Sequence, residues 1–377
     1  MINSWEYKEE YKLLRKKIIK SIDTVLKSGK LFFGKETENF EKKFLIRNNS
    51  KYGVSVSNGT NALLIALKAL NIGTGDEVIT VSNTAIATAS AIVSSGAKIR
   101  FIDVGNDYLI DYKKIEKCIN KNTKAIILVH LYGQACEMDK IIKIKKKYKI
   151  SIIEDCAQAQ GAKYKGIKVG NFGDFGCFSF YPTKILGAYG DGGFITTNND
   201  NLHRKARRIR FYGIENINKK NKWNQVYYSN EHGINSRLSE IQSAILNIKL
   251  KYLNQNITLR KKIAKNYDAL LTNNVLIKPK INKYNSHAYH LYVVSYKKRD
   301  LLIKFLKKRG IFLSIQYPVP IHKMNAFNKG LNKFDKNNLG NSESLSRSIF
   351  SLPIYPTLKK KDQLKIIEEI NNFKKKN

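Results

Sequence analysis

The sequence predicts an α/β protein: a mostly parallel sheet with helices on both faces, followed by a smaller C-terminal α/β unit. Three observations carry this expectation. From about residue 53 to 197, short apolar runs alternate with amphipathic helical patterns, the spacing of a parallel sheet whose crossovers are helices. Beyond about residue 250 that alternation stops, and a lone strand, several helices and two Pro-rich loops take over. Residues able to do chemistry gather just past the strand ends, where open parallel sheets bind ligands.

Candidate strands are Glu77–Val81, Lys98–Ile102, Ala125–Val129, Ser151–Glu154, Gly176–Phe180 and Gly193–Thr197. Each is a short apolar run, the length of a buried strand rather than of a helix. Helical patterns stand between many of them, as in Ala62–Leu70 and Met138–Tyr148. A long helical pattern from about Leu238 to Leu271 reads as a bridge between two units. After it come a strand (His290–Ser295), helices (Asp300–Lys308, Ser342–Ser348, Lys360–Phe373) and loops around Tyr317–Pro320 and Leu352–Pro356. The expected division is residues 1–250, including an N-terminal helical segment, and residues 251–377.

At 377 residues, two domains are the natural expectation. No stretch approaches the roughly 18 apolar residues of a membrane span. The first fourteen residues are charged and lack a hydrophobic signal core, so a cytoplasmic protein is expected. Cys118, Cys136, Cys156 and Cys177 are scattered without a CxxC pair, which fits buried free thiols and offers no metal-ligand spacing. The net charge of +38 is compatible with nucleic-acid binding, because neutralised phosphates drive such association. Yet the lysines are spread along the chain, as in residues 143–149 and 359–361, with only a short tail at Lys374–Lys376. A solvated surface, with neither a nucleic-acid nor a membrane partner, is the expectation. A basic field would also attract a small anionic substrate.

The chemistry is carried by a few residues at the predicted strand ends. Ser82-Asn83-Thr84 follow one strand, His130 another, Asp155 a third and Ser179 a fourth. Ser57-Asn58-Gly59-Thr60 precedes an apolar helix, where glycine lets backbone approach an anion and the helix N-terminus offers free N–H groups. The residue types also suit a plain N-cap. There is no Walker A motif, and the run Gly187–Gly193 lacks GxGxxG spacing, which argues against a nucleotide hydrolase or a dehydrogenase. Lys184 follows Pro182 in a turn and is followed closely by Gly187, Gly190, Gly192 and Gly193. An amine in such a turn, an acid at a strand end and a separate phosphate cradle together describe a site for pyridoxal phosphate (PLP). The amine forms a Schiff base with the aldehyde, and the carboxylate pairs with the protonated ring nitrogen. Taken singly, Asp155 suits a helix cap and Lys184 a surface lysine.

The runs SNGTNALLIAL (57–67), VHLYGQ (129–134), EDCAQAQGA (154–162), GDFGCFSFYPTK (173–184), GAYGDGG (187–193) and GINSRLSEIQSAIL (233–246) resemble the PLP-dependent sugar aminotransferases of the DegT/DnrJ type. HLYVV (290–294), YPVPIH (317–322) and SLPIYP (351–356) extend the likeness over nearly the whole chain. The resemblance implies the aspartate-aminotransferase fold (PLP fold type I) with a seven-stranded sheet. It implies Lys184 as the Schiff-base lysine and proton shuttle, and Asp155 as partner of the ring nitrogen. Gln158 would lie against the ring and its phenolic oxygen, with Gly59, Thr60 and Ser179 as phosphate ligands. Asn235, in GxNxR, would reach the phosphate from a second subunit, so a homodimer with shared sites is implied. His322 and Tyr317 would face substrate, although His322 among prolines is equally a structural residue. Three departures bear on the substrate side: Ala85 stands where an aromatic often stacks on the ring, Ile185 where Asn is common, and Gln316 where His is often seen.

The segments NTAIAT, VHLYGQ and SFYPTK are most similar to the branch acting on dTDP-linked 3-keto-6-deoxyhexoses. That implies L-glutamate as amino donor, pyridoxamine phosphate as the cofactor's second form and a dTDP-3-amino sugar as product. The near alternative is a 4-aminotransferase acting on a UDP- or dTDP-linked 4-keto sugar. A related dehydratase is disfavoured, because those enzymes lack the lysine that this chain has. A regulator or nucleic-acid-binding protein on the same scaffold is the remote alternative.

Overall fold

The structure, a computed structural model, describes residues 1–214, 228–274, 276–328 and 339–373; the Lys374–Lys376 tail lies outside them. Seven strands form the main sheet: β1 (Tyr52–Val56), β2 (Glu77–Val81), β3 (Lys98–Ile102), β4 (Thr123–Val129), β5 (Ser151–Asp155), β8 (Phe175–Ser179) and β9 (Gly193–Thr197). Between β5 and β8 lie two short strands, β6 (Lys163–Tyr164) and β7 (Ile167–Lys168). The sheet order is β1-β9-β8-β5-β4-β2-β3. Only β9 runs against the rest, antiparallel to both β1 and β8, so the mostly parallel expectation holds.

Alternate strand residues pack into two separate cores, which is why these strands read as continuous apolar runs. Ile126, Leu128, Ile152, Phe178 and Phe194 join one cluster, and Ala125, Ile127, Ile153, Cys177 and Ile195 join the other. Helices cover both faces: α1 (Lys8–Lys27), α2 (Lys35–Asn48), α3 (Gly59–Ala69), α4 (Ile86–Ser94), α5 (Tyr112–Cys118), α6 (Met138–Tyr148) and α7 (Asp200–Ile209). All four cysteines are free and buried, as expected. No helix among the described residues is long and apolar enough to cross a membrane.

The pattern expected as one helix over Leu238–Leu271 is two: α8 (Glu240–Lys249) and α9 (Leu253–Leu270), joined by a 3-10 turn at Leu250–Tyr252. The two halves serve different cores. Glu240, buried at the start of α8, accepts the N–H groups of Gly34 (3.0 Å), Glu36 (2.8 Å) and Thr37 (3.0 Å), satisfying the orphan donors at the N-terminus of α2. α9 instead buries Ile263, Ala264 and Tyr267 in a third cluster with Tyr292, Val294, Phe350 and Ile366. That cluster surrounds a two-stranded ribbon, β11 (Tyr292–Ser295) against β12 (Ile349–Leu352), and the helices Arg299–Lys307 and Lys360–Asn371. The remaining short strand, β10 (Asn285–Ser286), pairs with β6. Ile2 also belongs to this third cluster: its N–H donates to the Gly310 carbonyl (2.7 Å) and its carbonyl accepts from the Phe312 N–H (2.8 Å).

Candidate active site

At the carboxyl ends of β4, β5 and β8 lies a cavity of about 350 Å³, within the range of small-ligand sites. Gly59, Thr60, Asp155, Gln158, Ser179 and Lys184 all line it, so six of the seven expected cofactor residues converge there. Thr84, Ala85, Tyr181 and Asp191 complete much of the remaining wall. The expectation that chemistry collects past the strand ends is met by Asp155 and Ser179, the last residues of β5 and β8.

The anion cradle is built by close packing. Asn58 caps α3, its side-chain oxygen accepting the Asn61 N–H (2.9 Å), while Gly59 and Thr60, whose N–H groups have no partner within the helix, line the cavity. A Cβ added at Gly59 would stand 2.8 Å from the Ser179 Cβ, and one at Gly193 would stand 2.4 Å from the Asn58 carbonyl oxygen. Both glycines are therefore required for strand and helix end to approach this closely. Ser179 is held by the Gln160 side-chain N–H, which donates to its carbonyl (2.6 Å).

Asp155 is buried at the floor, and burial raises its carboxyl pKa. Donation from the Ala157 N–H (3.1 Å) and the Thr88 hydroxyl (2.9 Å) opposes that rise, as does the Lys184 charge. Among the described residues, these two hydrogen bonds alone serve the carboxylate. Lys184 shows the complementary shift: burial of its amine pulls the pKa down to about 8 against the upward pull of Asp155. An amine near 8 keeps a neutral fraction of about one in ten at pH 7, far more than an ordinary lysine, and the neutral form is the nucleophile toward an aldehyde.

Gln158 is locked rather than free. Its oxygen accepts from the Tyr132 N–H (2.9 Å), and its amide N–H donates to the Tyr317 hydroxyl (2.8 Å). Tyr317 thus meets the site through Gln158. Gln316 serves packing: its side-chain oxygen accepts from the Ser351 hydroxyl (2.8 Å), and its carbonyl accepts from the Tyr132 hydroxyl. His322 lies outside the cavity lining with both ring nitrogens engaged, to the Ser82 hydroxyl (2.6 Å) and the Glu343 carboxylate (3.1 Å). These contacts suit the structural reading of His322 that the sequence left open beside the substrate-facing one. Asn235 also stands outside the lining, with an exposed side chain. Its neighbour Ser236 is tied to Ser57, beside the cradle, by a hydroxyl contact of 2.9 Å.

His130, Glu154 and Cys156 bring potential metal-ligand atoms within 4.8 Å of one another. Their atoms are already used. Glu154 accepts from His130 (2.9 Å) and from the N–H groups of Gly170, Phe172 and Gly173 (2.8, 2.7 and 2.8 Å). Neighbouring acids on β5 thus face opposite sides of the sheet, Glu154 pinning a loop and Asp155 entering the cavity. Sequence reasoning did not assign Thr88, although it lies one helical turn beyond Thr84 in the quoted segment and faces Asp155.

The donor set fits pyridoxal phosphate. The glycine-lined helix end suits a phosphate, and the under-paired buried carboxylate suits a protonated ring nitrogen. The depressed amine suits an aldehyde. A sheet of this topology with such a site defines a vitamin-B6-dependent enzyme. Residues 12–371 match the DegT/DnrJ/EryC1/StrS aminotransferase family, and the chain belongs to it. It is an aminotransferase with a pyridoxal phosphate cofactor. The chain is 40% identical over 373 residues to a dTDP-3-amino-3,4,6-trideoxy-alpha-D-glucose transaminase of Micromonospora megalomicea subsp. nigra, covering 97% of each. It is likewise 40% identical over 360 residues to a dTDP-3-amino-3,6-dideoxy-alpha-D-galactopyranose transaminase of Aneurinibacillus thermoaerophilus, covering 95% of this chain and 96% of that one. Among solved structures, DesV of S. venezuelae in complex with a ketimine intermediate superposes with a TM-score of 0.92 at 34% identity, covering 98% of this chain and 97% of that one.

Proposed function

We propose that this chain transfers the amino group of L-glutamate to C3 of a dTDP-linked 3-keto-6-deoxyhexose, yielding 2-oxoglutarate and a dTDP-3-amino-3,6-dideoxyhexose. The observation that carries the reading is the convergence of Lys184, Asp155 and the α3 cradle on one cavity, in a chain that is 40% identical to two dTDP-3-amino-sugar transaminases. Bound pyridoxal phosphate supplies an aldehyde and an electron-withdrawing ring, and carries the amino group from donor to ketone.

Asp155 holds the proton on the ring nitrogen, offsetting the desolvation that otherwise raises its own pKa. Gly59 and Thr60, at the helix end, with Ser179 opposite, hold the phosphate and so keep the ring in register. Lys184 Nζ, once freed, takes the proton from the donor's α-carbon. In the second half-reaction it delivers a proton to sugar C3. Ala85 and Ala87 leave a small-residue wall on one side of the cavity. A homodimer completes the site: exposed Asn235 reaches the phosphate held by the neighbouring subunit.

Purified holoenzyme supplied separately with 3-keto and 4-keto dTDP-hexoses, plus glutamate, decides the regiochemistry. The expected result is amine at C3 by NMR. Amination of only the 4-keto sugar would overturn the C3 assignment and select the 4-aminotransferase.

A further inference from the structure

Tyr132 sits in the short turn Leu131–Gly133 that follows β4, 3% exposed and outside the lining of the cofactor cavity. Its backbone is left-handed (φ 60°, ψ 0°), a conformation that a bulky side chain rarely adopts. Such a residue persists where its surroundings over-determine it. Here all three polar groups of Tyr132 are engaged. Its N–H donates to the Gln158 side-chain oxygen (2.9 Å), its carbonyl accepts the Leu291 N–H (3.2 Å), and its hydroxyl donates to the Gln316 carbonyl. Gly133, also at positive φ, lets the turn press on residues 289 and 290: a Cβ there would stand 2.8 Å from the Tyr289 nitrogen.

These contacts close a ring. It runs from the Tyr132 N–H through the Gln158 amide to the Tyr317 hydroxyl (2.8 Å), back one residue to Gln316, and from the Gln316 carbonyl to the Tyr132 hydroxyl. The ring decides which way the amide faces. A backbone N–H can only donate, so the amide atom beside it is the oxygen. One amide N–H then goes to Tyr317, and the other has no partner among the described residues. Burial pushes the Tyr132 hydroxyl well above the ordinary tyrosine range, with Tyr317 and Tyr108 beside it adding to the rise. Burial also pushes Tyr108 up to about 12 and Tyr317 further, the latter with Asp155 nearby. All three phenols therefore keep their protons at neutral pH, and the Tyr132 hydroxyl remains a donor.

We propose that Tyr132 is a positioning residue for the cofactor: by gripping the Gln158 amide at both ends, it keeps the free N–H of that amide toward the cavity as a donor to the ring's phenolic oxygen. The proposal rests on the pyridoxal phosphate reading and adds the residue that orients Gln158. Tyr132 itself touches neither cofactor nor substrate. A donor at the phenolic oxygen stabilises its negative charge, so the proton that this oxygen shares with the Lys184 nitrogen in the loaded enzyme leaves at lower pH.

The test titrates the visible absorbance of holoenzyme with pH in the unmodified protein, Tyr132→Phe, Gln158→Leu and the double variant. Gln158→Leu removes the donor and raises the midpoint by about one unit, and Tyr132→Phe, which opens the ring, raises it by about half a unit. The double variant matches Gln158→Leu within about 0.2 unit, because Tyr132 acts through that amide alone. Tyr317→Phe opens the ring on its other side, raises the midpoint likewise, and stands in for Tyr132→Phe should that variant not fold. An unmoved midpoint in the folded single-tyrosine variant overturns the proposal. So does a Tyr132→Phe increment that persists undiminished on top of Gln158→Leu, the mark of a merely structural role. Absence of any visible cofactor band from the unmodified protein would instead sink the pyridoxal phosphate reading itself.

Discussion

Lys184 and Asp155 carry opposite burdens from the same burial. The lysine is pulled down to about 8 and the carboxyl is raised, so each awaits a charged or reactive partner. Only the neutral amine attacks an aldehyde. The rate at which cofactor-free protein takes up pyridoxal phosphate should therefore climb through a midpoint near pH 8, followed by absorbance; a midpoint above 10, where an ordinary lysine titrates, would contradict the burial argument. The sign of the linked stability follows. Between about 8 and 10.5 the unfolded chain holds a proton on this lysine that the folded chain has lost, so cofactor-free protein gains stability from Lys184 as pH rises through that window. Lys184→Ala should flatten that gain in a melting series. Thr88→Val removes one of two donors to Asp155 and should weaken cofactor binding about tenfold or more while leaving the fold intact, measured by cofactor titration. Lys184 was legible because proline and glycines frame its turn. Thr88 was not assigned, because a threonine near a helix start reads first as a cap.

Helices and strands were legible to the extent that their burial was regular. All six named strands exist, Glu77–Val81, Lys98–Ile102 and Gly193–Thr197 with the expected boundaries and the other three shifted by a residue or two, because both faces of each are buried and the apolar run is continuous. β1 escaped as a separate strand because Gly53 and Ser55 interrupt its apolar run; Ser55 is nonetheless buried, its hydroxyl donating to Glu41 (2.7 Å). The break between α8 and α9 was hidden too, since the 3-10 turn keeps both helices' apolar residues in step across Leu250 and Leu253. The cap that joins α2 to α8 rests on one buried carboxylate. Glu240→Ala strands three N–H groups, while the Thr37 hydroxyl keeps that of Ser243 (2.8 Å), and should cost about 3 kcal/mol in urea unfolding, whereas a loss below about 0.5 kcal/mol would show the cap to be incidental.

For the whole molecule, packing crosses the proposed division near residue 250 in both directions: Val293 and Ile349 join one core of the sheet and Ile321 and Phe327 the other, while Ile2 packs with the C-terminal cluster, so the chain's start clasps the second unit. Sequence alone could not show that clasp, since a single isoleucine has no periodicity. The charge of +38 stays a property of the whole surface, while the site is organised by a handful of buried groups. The proposed dimer should sediment at twice the chain mass, and Asn235→Ala should loosen cofactor without changing that mass. The central claim is that the amine of Lys184 bonds the cofactor over the Asp155 carboxylate. Borohydride reduction of the freshly loaded protein, followed by peptide mass mapping, tests it most directly: the account predicts the phosphopyridoxyl mass on the peptide containing Lys184, and its appearance on another lysine, with Lys184 unmodified, would contradict it.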